Sequence, residues 1–212
     1  MHLVMRQQAK ELFEATFVIG ANNMQIGDMR ITSQISRVGG DWTINYSGTQ
    51  IALKRGKNFA PKEDKPFRPY DIYVNNEGVG SVYQKIIKEG GPFSDEYPVF
   101  VLWLNGVCYT LYPVCFGEEG AKSPVYCNGV QVAEVHKAAA IYDDLHEYNI
   151  YMYDRQYGLA CILLCAHSYD IGFYKNGEKI TKGYYKKLYT TTDKELLEKY
   201  NPAFMAGLYG QP

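Results

Sequence analysis

The sequence predicts a mainly β fold that contains one fully buried helix. Between residues 159 and 166 every side chain is apolar. This run has neither the stripe of a surface helix nor the alternation of a half-buried strand, so it must be surrounded on all sides. The chain also has 20 tyrosines among 212 residues, and tyrosine favours the half-buried surface of a sheet.

Turn signals between apolar or alternating runs predict a series of β-hairpins. An Asn-Gly pair supplies the two positive φ angles of a type I′ turn, whose twist matches that of a hairpin. The clearest hairpin covers residues 98–114, around Asn105-Gly106. The other signals are Ser47-Gly48, Asn75-Asn76-Glu77-Gly78, Asn128-Gly129 and Asn176-Gly177.

Three of these hairpins have similar sequences, which begin at Ile44, Ile72 and Val125. Each has a strand, a tight turn, a small residue and a basic or polar end. The similarity has two interpretations: hairpins resemble one another in general, or one hairpin was duplicated within the sheet. The sequence leaves both open.

Further strands and a loop are predicted within a single domain over residues 1–212. An N-terminal helix is expected over residues 7–13. Residues 56–69 contain three prolines and six charges of mixed sign, so we expect a mobile loop there. The further strands cover residues 15–19, 24–28, 30–36 and 147–153.

The last residues predict two short helices. Thr192 and Glu195 form a capping box, which begins a helix that continues through Tyr200. Asn201 and Pro202 can begin another helical turn over residues 203–208, because proline is tolerated at the first position of a helix.

Composition indicates the class of protein. The formal net charge is -1, so no global field attracts the chain to nucleic acid, and we expect no nucleic-acid partner. The five cysteines have no regular spacing, which indicates free thiols in a reducing compartment. The buried segment, about 18 Å long as a helix, is too short for a hydrocarbon core of about 30 Å. We therefore expect a cytoplasmic protein that is not transmembrane.

The densest cluster of polar side chains contains His136, Asp143, Asp144, His146 and Glu147. Two histidines and three carboxylates could bind Zn²⁺ or perform acid–base chemistry, which would make the chain a metal-dependent hydrolase. However, the spacing matches no helical metal motif. A solvated loop between two strands is the favoured interpretation.

A second group consists of Cys161, Cys165 and His167. These residue types suggest a metal site or a thiol nucleophile. However, no lysine or arginine lies between Tyr157 and Asp170, so no cation within this stretch lowers a thiol pKa. Core packing is therefore favoured. We predict no catalytic residue, no metal site and no cofactor.

Two groups of cations are candidates for ligand binding. Basic side chains near aromatic ones often contact phosphate groups on lipids or nucleic acids. The alternative is a solvated strand edge, where lysine discourages aggregation, and it is the favoured one. The candidate residues are Lys54, Arg55, Lys57, Lys182, Lys186 and Lys187.

The sequence VAEVHKAAAIYDDLHEYNIYMYDRQYGLACILLCAHSYD, residues 132–170, resembles the tubby-like superfamily. The similarity is to its LURP-one-related branch, which is related to the phospholipid scramblases. That branch has a small-residue strand, a second strand and an apolar helix that ends in aspartate, as at Asp170. Residues 17–35 resemble its opening strands. The resemblance implies a closed antiparallel barrel of about twelve strands around the helix, over residues 13–170.

The resemblance also implies a function and raises a question about the fold. It implies a non-enzymatic binding or scaffold domain, for which an anionic lipid or phosphate group on the outer surface is the candidate ligand. A protein-interaction module is the alternative, because tyrosine is favoured at interfaces. Tubby domains bind phosphoinositides through basic residues, but none of these maps onto this chain individually.

In the family the central helix usually lies near the C-terminus, whereas here residues 171–212 follow it. Either this extension adds outer elements, or the barrel closes differently.

Overall fold

Twelve antiparallel strands form a closed barrel. The computed structural model describes residues 1–11, 14–32, 40–88, 96–139, 145–169 and 193–210. Each strand pairs with its neighbours in the sequence, and β1 pairs with β12 to close the barrel. The strands are β1 His2–Glu11, β2 Glu14–Ala21, β3 Met24–Thr32, β4 Trp42–Tyr46, β5 Thr49–Arg55, β6 Phe67–Val74, β7 Glu77–Lys88, β8 Glu96–Leu104, β9 Val107–Leu111, β10 Ala121–Cys127, β11 Val130–Lys137 and β12 Glu147–Met152.

Among the described residues, five two-residue turns lie at one end of the barrel, which we call the turn end. Because the strands run up and down in order, the opposite ends of the strands lie together, and we call this the loop end. Asn105 and Gly106 have φ angles of 50° and 78°, so the predicted Asn-Gly hairpin is confirmed. Asn22 and Asn23 form a similar turn that the sequence analysis did not identify. Asn176-Gly177 lies outside the described residues.

The apolar segment forms the helix α1, Gly158–Ser168, which fills the barrel. It begins at the turn end after β12, and its side chains share one core with the inward-facing residues of the strands. Residues 160–166 are at most 1% exposed. A Cβ atom at Gly158 would collide with the Tyr46 hydroxyl and crowd Leu3, so glycine allows the helix to enter close to the wall.

The helix predicted over residues 7–13 is wrong, because β1 continues to Glu11. Leu3, Met5 and Gln7 alternate along β1 and are all buried. The Gln7 side chain donates a hydrogen bond to the Tyr169 hydroxyl at 3.1 Å. Pairing with β2 and β12 thus overrides the local helical propensity. Similarly, the two strands predicted between residues 24 and 36 are one strand, β3, in the described part of that region.

Two short helices lie on the outer wall: α2, Asp193–Leu197, and α3, Phe204–Tyr209. Leu196 and Phe204 are buried there. The predicted turn over residues 203–208 is confirmed, whereas the preceding helix ends at Leu197 rather than Tyr200, and Thr192 lies outside the described residues. Because all twelve strands precede α1, the described part of the extension adds outer elements and does not close the barrel.

None of the helices in the described part of the chain is long and apolar enough to cross a bilayer.

Candidate functional site

The predicted polar cluster of β11 and β12 is divided by the barrel wall. His136 faces outward, with its Nε2 atom 2.5 Å from the buried carboxylate of Glu134. His146 faces inward, where its ring packs edge-on against Tyr169 at 4.9 Å between centroids. Glu147 faces outward and accepts a hydrogen bond from an arginine. The structure therefore does not bring these three side chains together.

Other observations bear on the metal hypothesis. Asp143 and Asp144 lie outside the described residues. Among the residues that the structure describes, no group of three or more histidine, cysteine, aspartate or glutamate side chains is arranged to hold a metal ion. Sequence reasoning missed Glu134, which is 0% exposed, because nothing in the local pattern separates a buried carboxylate from a solvated one.

The cysteines of α1 are packing residues. Cys161 and Cys165 are fully enclosed in the barrel. Burial raises the pKa of the Cys161 thiol to about 12 and also raises the pKa of Cys165. Neither thiol is therefore ionised at neutral pH, which a nucleophile or metal ligand would require.

His167 connects the end of α1 to the loop end of the barrel. Its Nε2 atom lies 2.8 Å from the backbone oxygen of Arg68, to which it donates a hydrogen bond. The ring is enclosed by Trp42, Tyr70 and Phe100. Burial lowers the pKa of His167 to about 4, so the ring is neutral at pH 7. Its role is structural, because it holds the end of α1 to the backbone of Arg68.

The structure separates Lys54 and Arg55, although they are adjacent in sequence. Lys54 faces outward on β5, with its Nζ atom 5.3 Å from the centre of the Tyr73 ring. Arg55 lies on the other face of the strand, opposite Tyr70 at the loop end. Lys57 lies in the connection that follows. The second candidate group, Lys182, Lys186 and Lys187, lies outside the described residues.

Residues 54–68, which we call the basic segment, carry more exposed cations than the sequence analysis selected. Only one acidic residue of the segment, Glu63, is exposed. The other, Asp64, is bound to Lys85 of the wall. The exposed cations are Lys54, Arg55, Lys57, Lys62, Lys65 and Arg68.

Asp64 attaches the basic segment to the outer wall. The Tyr83 hydroxyl and the Lys85 ammonium both donate hydrogen bonds to its carboxylate. Partial burial raises the pKa of Asp64, but these two donors outweigh that effect and hold the pKa below its usual value. The carboxylate is therefore ionised, and Lys85 compensates its charge.

Asp71 of β6 provides a second attachment. Its carboxylate is 2% exposed and accepts hydrogen bonds from Asn58 Nδ2 at 2.6 Å and from the Phe59 backbone N–H at 3.2 Å. A 3-10 helix, Lys62–Asp64, follows, and β6 begins at Phe67. The prediction of a loop over residues 56–69 is therefore wrong in its last part.

Replacing Asp71 with alanine is expected to release the first half of the basic segment. The change removes two hydrogen bonds to a carboxylate, and a hydrogen bond to a charged group contributes about 1.5–3 kcal/mol. Tryptic cleavage within residues 54–68, followed by mass spectrometry, should then be about tenfold faster. Asp28→Ala is the control, since Asp28 is an exposed carboxylate bound to Asn45. Equal cleavage rates in the two variants would contradict the attachment.

The rim of the barrel at the loop end combines apolar and basic side chains. Phe67 and Ile86 are each 52% exposed. Phe67 pairs with Gln84, and Ile86 lies two residues further along β7, so the two share a face. Arg68 lies with its guanidinium carbon 5.2 Å from the centre of the Phe67 ring. We call Arg55, Phe67, Arg68 and Ile86 the loop-end rim.

Two grooves lie elsewhere on the outer wall. One, of about 450 Å³, lies over β1–β3 and is flanked by Arg6, whose guanidinium is paired with Glu147. The other, of about 290 Å³, lies beside Tyr126 and Lys199, where the Tyr126 hydroxyl donates a hydrogen bond to the Lys199 backbone oxygen. Neither groove collects exposed cations as the basic segment does.

Comparison with protein-family models, with curated proteins and with solved structures gave no match to this chain.

Proposed function

We propose that the chain is a non-enzymatic binding domain that attaches to anionic phosphate groups, such as those of lipid head groups, through the basic segment. The observation that carries this proposal is the charge of that segment. Its six exposed cations have a single exposed acid among them. Such a local excess of positive charge attracts phosphate-bearing surfaces even when the net charge of the protein is close to zero.

The arrangement of the barrel supports an external site. The side chains of α1 occupy the space in which a wide barrel would hold a small molecule. The basic segment lies outside that core, and Asp64 and Asp71 attach it to the wall. Since the segment is already ordered, little conformational entropy is lost when it binds.

We also propose that the chain is a member of the tubby-like superfamily. A closed twelve-stranded barrel around an apolar helix is the architecture that the resemblance implied, and this agreement supports the assignment. The described part of the extension packs outside the barrel and therefore does not conflict with this family assignment.

Co-sedimentation with phosphatidylcholine vesicles, with and without phosphatidylserine, tests the proposed function. We expect binding only to the anionic vesicles at low salt. Binding should weaken as salt is raised, because the screening length falls to about 10 Å at 0.1 M salt. If the protein bound neither kind of vesicle at low salt, the proposal would be wrong.

A charge variant locates the site. Replacing Lys57, Lys62 and Lys65 with glutamine removes three exposed cations, each worth about 1 kcal/mol near an anionic surface. The affinity for phosphatidylserine vesicles should therefore fall about 100-fold, as measured by the same assay.

The matched control makes the same change in net charge elsewhere on the surface. It carries glutamine at Arg6, Arg30 and Arg155, which are exposed residues outside the basic segment. Arg6 and Arg30 belong to surface ion pairs, which contribute little to stability. We expect this variant to bind nearly as the unchanged protein does. An equal loss of affinity in both variants would indicate a general charge effect and contradict the assigned site.

A further inference from the structure

The loop-end rim exposes two large apolar side chains next to each other. Phe67 and Ile86 belong to adjacent strands and, by the register of these strands, lie on the same face of the sheet at the loop end. Residues in this diagonal relation across a strand pair are about 7–8 Å apart. Each has about half of its surface exposed, so the rim presents a small apolar patch and not a single side chain.

Cations border this patch. Arg68 lies over the Phe67 ring, and Arg55 is opposite Tyr70. Burial raises the pKa of Tyr70, while Arg55 and Arg68 lower it, as expected of guanidinium groups held close to the rim. Asp41 also acts on Tyr70, in the opposite sense.

The base of the rim is held by buried aromatic residues. Trp42 and Tyr70 pack at 4.9 Å between ring centroids. His167 of α1 donates its hydrogen bond to the Arg68 backbone oxygen, which fixes the strand that carries Phe67. The apolar patch and its cations are therefore presented on a fixed support.

An apolar centre with a border of guanidinium groups fits the interface of an anionic bilayer. There, apolar side chains enter the boundary between head groups and acyl chains to a depth of about 5–10 Å, while arginine side chains extend to the phosphates. We infer that the loop-end rim docks on such a bilayer, with Phe67 and Ile86 inserted as anchors. This inference rests on the proposed function and adds that the phosphate is recognised within a membrane surface.

A double variant tests the anchors. Phe67→Ser with Ile86→Ser removes two partly exposed apolar groups, whose burial in the bilayer would favour binding. Because both are already half-buried, we expect the affinity for phosphatidylserine vesicles to fall about 10- to 100-fold. Met24→Ser with Val130→Ser is the matched control, since these exposed residues, 65% and 66% exposed, lie at the turn end. It should bind as the unchanged protein does.

A second measurement reports insertion directly and does not depend on affinity. The fluorescence of the variant Phe67→Trp should be quenched by lipids brominated in the upper part of their acyl chains. The unchanged protein, which has only Trp42 and Trp103, provides the background. We also expect that glycerophosphoserine, the head group without acyl chains, will not displace the protein from vesicles.

The outcomes separate this inference from the proposed function. The insertion would be wrong if the double serine variant kept full affinity, if the fluorescence of the Phe67→Trp variant were not quenched above background, or if the soluble head group displaced the protein completely. Loss of binding in the lysine variant of the basic segment would then still support phosphate binding. If the unchanged protein bound no anionic vesicle, both proposals would be wrong.

Discussion

Replacing Leu163 with aspartate is expected to prevent folding. Leu163 is 0% exposed in the middle of α1, and the closed barrel offers no route by which a carboxylate could reach water. Burying an unpaired charge in an apolar environment costs far more free energy than burying an unpaired hydrogen-bonding group, which itself costs several kcal/mol. Native proteins are stable by only about 5–15 kcal/mol, so the variant should yield insoluble or unfolded protein.

The control for this prediction is Leu163→Met, which conserves volume and should cost less than about 1.5 kcal/mol. Expression yield, circular dichroism and thermal unfolding compare the two variants. A soluble Leu163→Asp protein that unfolds cooperatively would show that the helix does not fill a closed barrel.

Acidification is expected to destabilise the fold through His167. In the unfolded chain the imidazole has its ordinary pKa of about 6.5, whereas burial lowers the pKa to about 4 in the folded protein. Between these values the unfolded state binds more protons, so stability falls as the pH is lowered from about 6.5 to about 4. A shift of this size corresponds to about 3 kcal/mol.

Substitution of His167 isolates its contribution from that of the carboxylates. Glutamine at this position can still donate a hydrogen bond to the Arg68 backbone oxygen, but it does not titrate. Denaturant unfolding at several pH values should show a smaller loss of stability for His167→Gln than for the unchanged protein. Parallel curves for the two proteins over this interval would mean that His167 is not held neutral by burial.

The buried helix and the hairpins could be predicted from the sequence because each depends on local chemistry. A run that is apolar on every side has no favourable place at a surface, whatever surrounds it. Asn105 and Gly106 tolerate the positive φ angles of their turn better than other residues do. β1 could not be predicted in this way, since it depends on pairing with β12, whose residues are more than 100 positions away.

The candidate site could be predicted only in part. Lys54, Arg55 and Lys57 are visible as a basic group, but the alternation of β5 places Lys54 and Arg55 on opposite faces. The remaining cations of the basic segment could not be recognised as a group, because the sequence places the acidic Asp64 among them. In the structure the charge of Asp64 is compensated by a lysine of another strand. Tertiary contacts, and not spacing, decide which charges of this segment remain exposed.

The loop-end rim depends even more on register. Phe67 and Ile86 are 19 positions apart, and neither belongs to a recognisable motif. They become neighbours because Phe67 pairs with Gln84. A change of register by one residue would move one of them to the other face of the sheet. The sequence alone does not determine that register.

Hydrogen exchange in the presence and absence of phosphatidylserine vesicles tests most directly the claim that the helix fills the barrel and binding occurs outside it. We predict that vesicles slow exchange in peptides covering residues 54–68 and the end of β7 around Ile86. Peptides from α1 should exchange slowly in both conditions and should not change. Protection that appeared in α1 while residues 54–68 were unaffected would contradict this account.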